Sequence, residues 1–197
     1  MGQIIIDVET KKLFSEINSR DPSKLEISYV GILKVDDKGL FQPKDYQGFF
    51  EEDLSRLWPI LEKADRVIGF NIINFDFPAL RPYYTGDLMS FPRLDMLNEL
   101  EKILSHRVSL QSIAQATLNE GKSGSGLDAV EFWKKGDRES LSKYCRQDVE
   151  VTAKVYRYGL ENKRLKFTDR LNNPREVAVD FSYVKSNPNV QMTLGMK

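Results

Sequence analysis

Asp7 and Glu9 stand two residues apart in the run IIIDVET, while Asp76 in NIINFDFPAL and Asp148 in YCRQDVEVT each sit against hydrophobic sequence. Carboxylates at the ends of buried strands, or on the apolar side of a helix, are costly to desolvate, and a cation is the usual compensation. In a strand, residues i and i+2 share a face, so Asp7 and Glu9 project together with Ile5. Two adjacent carboxylates repel one another unless a positive charge lies between them. A set of acids of this kind suits phosphodiester hydrolysis assisted by two metal ions.

Each stretch also has a plainer reading. Asp7 and Glu9 could lie solvated in a loop just past a strand. Asp76 precedes Phe77-Pro78, and a capping Asp with Pro in the first turn is what a helix start needs without any chemistry. Asn71 and Asn74 could hold that turn through their side chains. Asp148 is the sharpest case. Leu141, Tyr144, Asp148, Val151 and Val155 fall on one helix face, which puts an acid in an apolar stripe one turn from a tyrosine.

The elements that must position these residues alternate in kind. Ile4–Val8 reads as a buried strand and Glu26–Val35 as a second, followed by the turn Asp36-Asp37-Lys38-Gly39. Gly39–Phe41 and a stretch near Phe49–Phe50 complete an antiparallel meander. Glu51–Ala64 has helical spacing, with Pro59 expected to kink or shorten it. Arg66–Phe70 is a short strand, a helix is expected from about Phe77 to Tyr84, and another strand around Phe91–Asp95. Leu97–Leu104, Ser109–Leu118 and Ala129–Lys134 read as helices, with a flexible NEGKSGSG loop among them. Asp137 caps a long helix to about Asn162. A hairpin turning at Asn172-Asn173-Pro174 follows. The fold class expected is α/β: a mixed sheet, antiparallel meander plus parallel strands, flanked by helices, forming a single domain over 1–185 with a loose tail at 186–197.

The composition is that of an ordinary globular chain: 197 residues, 41% hydrophobic and 29% charged. No run approaches the ~20 apolar residues needed to span a bilayer, and the opening residues lack a signal-peptide layout. A single cysteine, Cys145, excludes an internal disulfide framework. A cytoplasmic location away from membranes is the expectation from these features. Net charge is zero, but Lys+Arg number 12 against 17 Asp+Glu in residues 1–100, and 17 against 12 in residues 101–197. Lys134, Lys135, Arg138, Lys143 and Arg146, then Arg157, Lys163, Arg164, Lys166 and Arg170, could line a path for a phosphate backbone, or be solvated helix faces.

IIIDVET, NIINFDFPAL and YCRQD resemble the three motifs of the DEDD (DnaQ-like) 3′–5′ exonuclease superfamily, whose fold is ribonuclease H-like. The third motif has the Tyr-x-x-x-Asp form, Tyr144 to Asp148. The other branch would carry a histidine where this chain has Lys143, so the resemblance is to the tyrosine branch. The second motif is similar to that of family-B polymerase proofreading domains. The segment RVSLQSIAQATLNEGKSGSGLDAVEFW and the later AVDF look like YprB-like exonuclease domains. The resemblance covers nearly the whole chain.

It implies that Asp7, Glu9 and Asp148 bind one divalent ion, that Asp7 and Asp76 hold a second, and that Tyr144 orients the attacking water. Oxygen donors without histidine or cysteine favour Mg²⁺ or Mn²⁺. The implied partner is a single-stranded DNA or RNA 3′ end, released as nucleoside 5′-monophosphates. The motifs read a phosphate and a 3′ end, so DNA against RNA stays open, as does a helicase or polymerase partner. Two other readings stand beside this one: a binding module that keeps the fold without turnover, and a ribonuclease H-like endonuclease or resolvase. Asn71, Phe75 and Lys122 are the candidate substrate contacts; Phe70 and Phe77 could also stack on bases. The segment KKLFSEINSRDPSKL departs from a tight turn and could form a lid or wall. His106 reads as solvated or capping, and Cys145 as ordinary packing.

Overall fold

In the computed structural model, which describes residues 2–120, 124, 126–169 and 171–183, the first strand β1 spans Gln3–Thr10. Its alternation sorts the chain into two apolar layers. Ile4, Ile6 and Val8 pack with Ile27, Val30, Ile32, Phe49 and Phe77 on one face, while Ile5 packs with Tyr29, Leu33, Ile68 and Leu141 on the other. Short helix α1 (Phe14–Ile17) and a 3₁₀ turn (Pro22–Lys24) lead to β2 (Ile27–Val35) and β3 (Tyr46–Phe50). After α2 (Trp58–Glu62) come β4 (Arg66–Gly69), α3 (Asp76–Leu80), β5 (Arg93–Asp95) and α4 (Met96–Leu104). Helices α5 (Leu110–Leu118), α6 (Gly126–Lys135) and α7 (Arg138–Asn162) follow, then the hairpin β6 (Arg164–Thr168) and β7 (Pro174–Ala178).

The main sheet has the order β3-β2-β1-β4-β5. Strands β1, β2 and β3 are antiparallel neighbours, and β4 and β5 run parallel to β1. This is the mixed five-stranded ribonuclease H-like sheet expected, with a separate C-terminal hairpin. Helix α7 crosses β1 and β2 on the Ile5 face. The outer edge of β6 pairs with side chains of α5 rather than with a strand. Thr117 Oγ1 accepts from Lys166 N (3.0 Å) and donates to Lys166 O (2.9 Å), and Ser112 Oγ treats Thr168 in the same way. These bonds occupy the outer edge of β6 at Lys166 and Thr168.

Four local expectations change. Gly39–Phe41 is not a strand: Asp36 accepts the N–H groups of Lys38 and Leu40, and Gly39 takes φ +74°, a conformation open to glycine, so the chain turns and drifts before β3. Glu51–Ala64 is not one helix. Pro59 has no N–H and cannot sit in a helix interior, so it occupies the first turn of α2, and residues Glu51–Arg56 form a 3₁₀ turn before it. Pro82 likewise stops α3 at Leu80, leaving a 3₁₀ turn at Arg81–Tyr83 in place of a helix to Tyr84. Helix α6 begins at Gly126, earlier than Ala129. Lys122 and the tail 186–197 lie outside the described residues.

Candidate active site

Three chain segments deliver the acids to one hollow of about 220 Å³ lined by Asp7, Glu9, Asp76 and Asp148. The strand register explains the first pair. β1 pairs with β4 only as far as Ile5 and Ile68, but runs on beside β2 with Asp7 opposite Gly31 and Glu9 opposite Tyr29. The acids therefore continue the Ile5 row, facing α7, past the point where β4 has ended. Asp148 comes down from α7 and is 2% exposed. Tyr144, one turn earlier, is 7% exposed and lines a second hollow with Asp128, Phe132, Lys143 and Gln147 rather than the one that holds the acids.

Asp76 is the first residue of α3, and Phe75 holds the N-cap position, so the capping reading gives way to burial: Asp76 is 4% exposed. Burial, then the neighbouring charge of Asp7, pushes its carboxyl well above the usual range, while the backbone N–H groups of Asp76 and Val8 pull the other way. An acid in that position binds a proton or a cation. The loop that carries it, residues 71–75, is held by Asp95, a buried residue that sequence reasoning passed over. Its Oδ1 accepts from Asn71 N (2.8 Å), Leu97 N (3.1 Å) and Asn98 N (3.2 Å), and its Oδ2 from Ile73 N (2.9 Å). One carboxylate thus caps α4 and clamps the loop. The available signal was Asp95 directly before the apolar helix Met96–Leu104, a capping pattern.

Cys145 is packed in the core as expected, and it also touches the acids. Gly31 leaves room for its thiol: a Cβ at Gly31 would stand 2.8 Å from Cys145 Sγ. The sulfur lies 3.8 Å from Asp7 Oδ2 and 3.7 Å from Asp7 O, beneath the acids. Burial, then Asp7, Glu9 and Asp148, pushes the thiol well above its ordinary pKa, so it is a protonated donor and not a thiolate.

The segment after β1 is a wall. Lys11 N and Lys12 N donate to Glu26 O and Leu25 O, extending the β1–β2 ladder, and Glu16 is tied to Lys134 of α6. Leu13 and Phe14 thereby line the hollow. Phe14, 40% exposed, meets Phe75 edge to face with centroids 6.2 Å apart. Phe70 lines the same hollow and Phe77 is core. Asn71, at φ +76°, turns its amide oxygen to Arg107 (2.7 Å) and does not line the hollow. His106 is exposed, and its Nδ1 lies 2.9 Å from Leu104 O at the end of α4, in keeping with the solvated or capping role expected. No helix among the described residues is long and apolar enough to cross a membrane.

The donor set fits hard divalent ions. Four carboxylates, three of them buried, line one hollow, and repulsion among them is relieved by protons or by cations with a preference for oxygen. With this geometry the fold is that of a ribonuclease H-like protein, and the chain belongs to the RNase_H superfamily, which it matches over residues 4–159. Among solved structures it is similar to the family B DNA polymerase of the hyperthermophilic archaeon Pyrobaculum calidifontis. The identity is 15% and the TM-score 0.57, over 80% of this chain and 24% of that one. It is also similar to E. coli ExoI in a zinc-bound complex with ssDNA (12% identity, TM-score 0.49), over 82% of this chain and 41% of that one. The chain therefore spans less than half the length of either. No curated protein matches it in sequence.

Proposed function

We propose that this protein is a metal-dependent 3′–5′ exonuclease of the tyrosine branch that removes nucleotides from single-stranded ends. The carrying observation is the convergence of Asp7, Glu9, Asp76 and Asp148, from three separate segments, on one hollow. In this reading Asp7, Glu9 and Asp148 hold one ion, and Asp7 with Asp76 holds the second. Two such ions would activate water and neutralise charge on the phosphate oxygens and the leaving 3′ oxygen.

The protein's own groups do the rest. Tyr144 holds the attacking water by its hydroxyl, in line with the P–O3′ bond. That bond breaks as the new P–O bond forms, leaving a nucleoside 5′-monophosphate and a 3′-hydroxyl on the shortened strand. Cys145 donates its S–H to Asp7 and keeps that carboxylate turned into the hollow. Phe14 and Phe75 receive the terminal base, a contact that any base can make through its π-face. A wall closed by Leu13 and Phe14 suits an unpaired end better than a duplex.

The test is digestion of a 5′-labelled single strand with Mg²⁺ or Mn²⁺, run beside a circular single strand and matched RNA. The reading expects a ladder shortening from the 3′ end, mononucleotide products, and loss of activity with chelator, in Asp7→Asn and in Asp148→Asn. Cutting of the circle points to an endonuclease instead, and binding without cleavage under any metal points to a clamp.

A further inference from the structure

Among the described residues, the basic half of the chain is largely self-neutralised. Lys134 pairs with Glu16, Lys135 with Glu131, Arg138 with Glu52, and Arg146 with Glu150. Further along, Arg157 pairs with Glu161, Lys163 with Asp180, and both Arg164 and Lys166 with Glu176. A cation beside its own carboxylate adds little net field for a phosphate. The continuous basic path read from the sequence is thus broken up, and Arg170 lies outside the described residues. Lys143 differs. It is exposed, and none of the ion pairs among the described residues includes it.

Its position gives that difference a use. Lys143 precedes Tyr144 on α7, and both line a hollow of about 390 Å³, one helical turn from Asp148. Phe132 of α6 lines it too, as an aromatic ring half-buried against the core, with the polar side chains of Ser140 and Gln147. The acid on its wall, Asp128, turns Oδ2 toward Gly124, 2.8 Å from where a Cβ would stand, and Gly124 lies against the Tyr144 ring. A cation and an aromatic ring on one wall are the two groups that single-stranded nucleic acid recognition needs. The volume is within the range of ligand sites.

We infer that the Lys143–Phe132 hollow beside Tyr144 is a subsite for an upstream nucleotide of the strand, with its phosphate on Lys143 and its base against Phe132. This rests on the exonuclease reading, and it adds the direction in which the strand leaves the acids: past Tyr144, between α6 and α7. It assigns substrate contact to one lysine among the ten cations that charge alone suggested.

The experiment measures binding of a labelled ten-nucleotide single strand by full-length protein at several salt concentrations, in Ca²⁺ to suppress turnover. Each phosphate neutralised contributes roughly 0.7 to the slope of log K against log salt. Lys143→Gln is expected to weaken binding about three- to tenfold at low salt and to flatten the slope by roughly that amount, while Lys143→Arg restores both. Phe132→Leu should weaken binding with the slope unchanged, because it removes a stacking surface and no charge. Lys135→Gln, a paired cation, is the control and should leave the slope at the wild-type value. A wild-type slope in Lys143→Gln, or an equal flattening in Lys135→Gln, overturns the subsite. These outcomes are separate from failure of the exonuclease reading, which would show as wild-type protein that does not shorten the same strand in Mg²⁺ or Mn²⁺.

Discussion

Asp95 Oδ1 accepts the backbone N–H of Asn71 at 2.8 Å, across 24 residues of sequence, and so joins the start of α4 to the loop that presents Asp76. The same carboxylate caps α4 through Leu97 and Asn98, so helix and loop share one anchor. Removing it in Asp95→Ala leaves several N–H groups without their acceptor and should cost on the order of 3 kcal/mol. Asp95→Asn keeps an acceptor for Asn71 while losing the one for Ile73. It should fold and bind the strand, with kcat lowered about tenfold or more as Asp76 drifts. Denaturant unfolding and steady-state kinetics separate the two effects, and a wild-type kcat in Asp95→Asn would contradict the positioning role.

Asp76 is held where burial and Asp7 both oppose its charge. Asp76→Asn removes one of four crowded carboxylates, so with chelator present the variant should unfold no lower than wild type. Added Mg²⁺ or Mn²⁺ should raise the wild-type Tm and leave the variant nearly unmoved, with activity down at least about a hundredfold, in line with the loss of one half of a two-metal site. Thermal scans with and without metal report this directly, and an unchanged metal response in the variant would remove Asp76 from the site.

The close fit of Gly31 against α7 predicts the cost of a single methyl. A Cβ there would stand 2.8 Å from Cys145 Sγ, 3.0 Å from Val149 Cγ2 and 3.1 Å from the Tyr46 hydroxyl, all packed side chains. Gly31→Ala should destabilise by about 1–3 kcal/mol, and, because the sulfur sits against Asp7, should lower kcat beyond what partial unfolding explains. Activity measured well below the variant's Tm makes that distinction.

Phe14 carries no buried packing that its exposure would suggest is essential, yet it faces the acids beside Phe75. Stacking on one base is worth roughly 1–3 kcal/mol. Phe14→Ala should leave Tm within a degree or two and raise KM for a single strand severalfold. A matched KM and kcat/KM in variant and wild type would mean the ring does not meet substrate.

The hairpin turn supplies a pH test away from the site. Asp169 accepts from the backbone N–H groups of Asn173 and Leu171 and from Arg175, and is drawn down to about 2. A depressed carboxylate contributes stability above its unfolded pKa, near 3.8, and loses it as pH falls through the folded value. Amide protection of β6 and β7 should therefore hold above about pH 4 and fade towards pH 2. NMR titration of the Asp169 carboxyl gives the midpoint, and a value near 4 would refute the account.

Much of the site was legible because local rules govern it. Period-two alternation put Asp7 and Glu9 on the face of Ile5, and helical spacing put Asp148 and Tyr144 on the apolar side of α7. The strands of the meander and the long helix followed from the same patterns. Less legible were elements in which proline competes with periodicity: Pro59 and Pro82 each broke a helix that the apolar spacing alone supported.

The sequence by itself determined which residues could do chemistry and which face of its own element each would occupy, because side-chain direction within a strand or helix is set by backbone geometry. Only the tertiary structure decided what meets across elements. It brought Cys145 under Asp7 through the space at Gly31, let Asp95 grip a loop 24 residues before it, and stood Phe14 against Phe75. Among the described residues it also paired nearly every cation of the basic half with a carboxylate and left Lys143 beside Tyr144. The physical reason is the same in each case: charge pairing, packing space and hydrogen-bond reach depend on distances through space, which spacing along a chain does not encode.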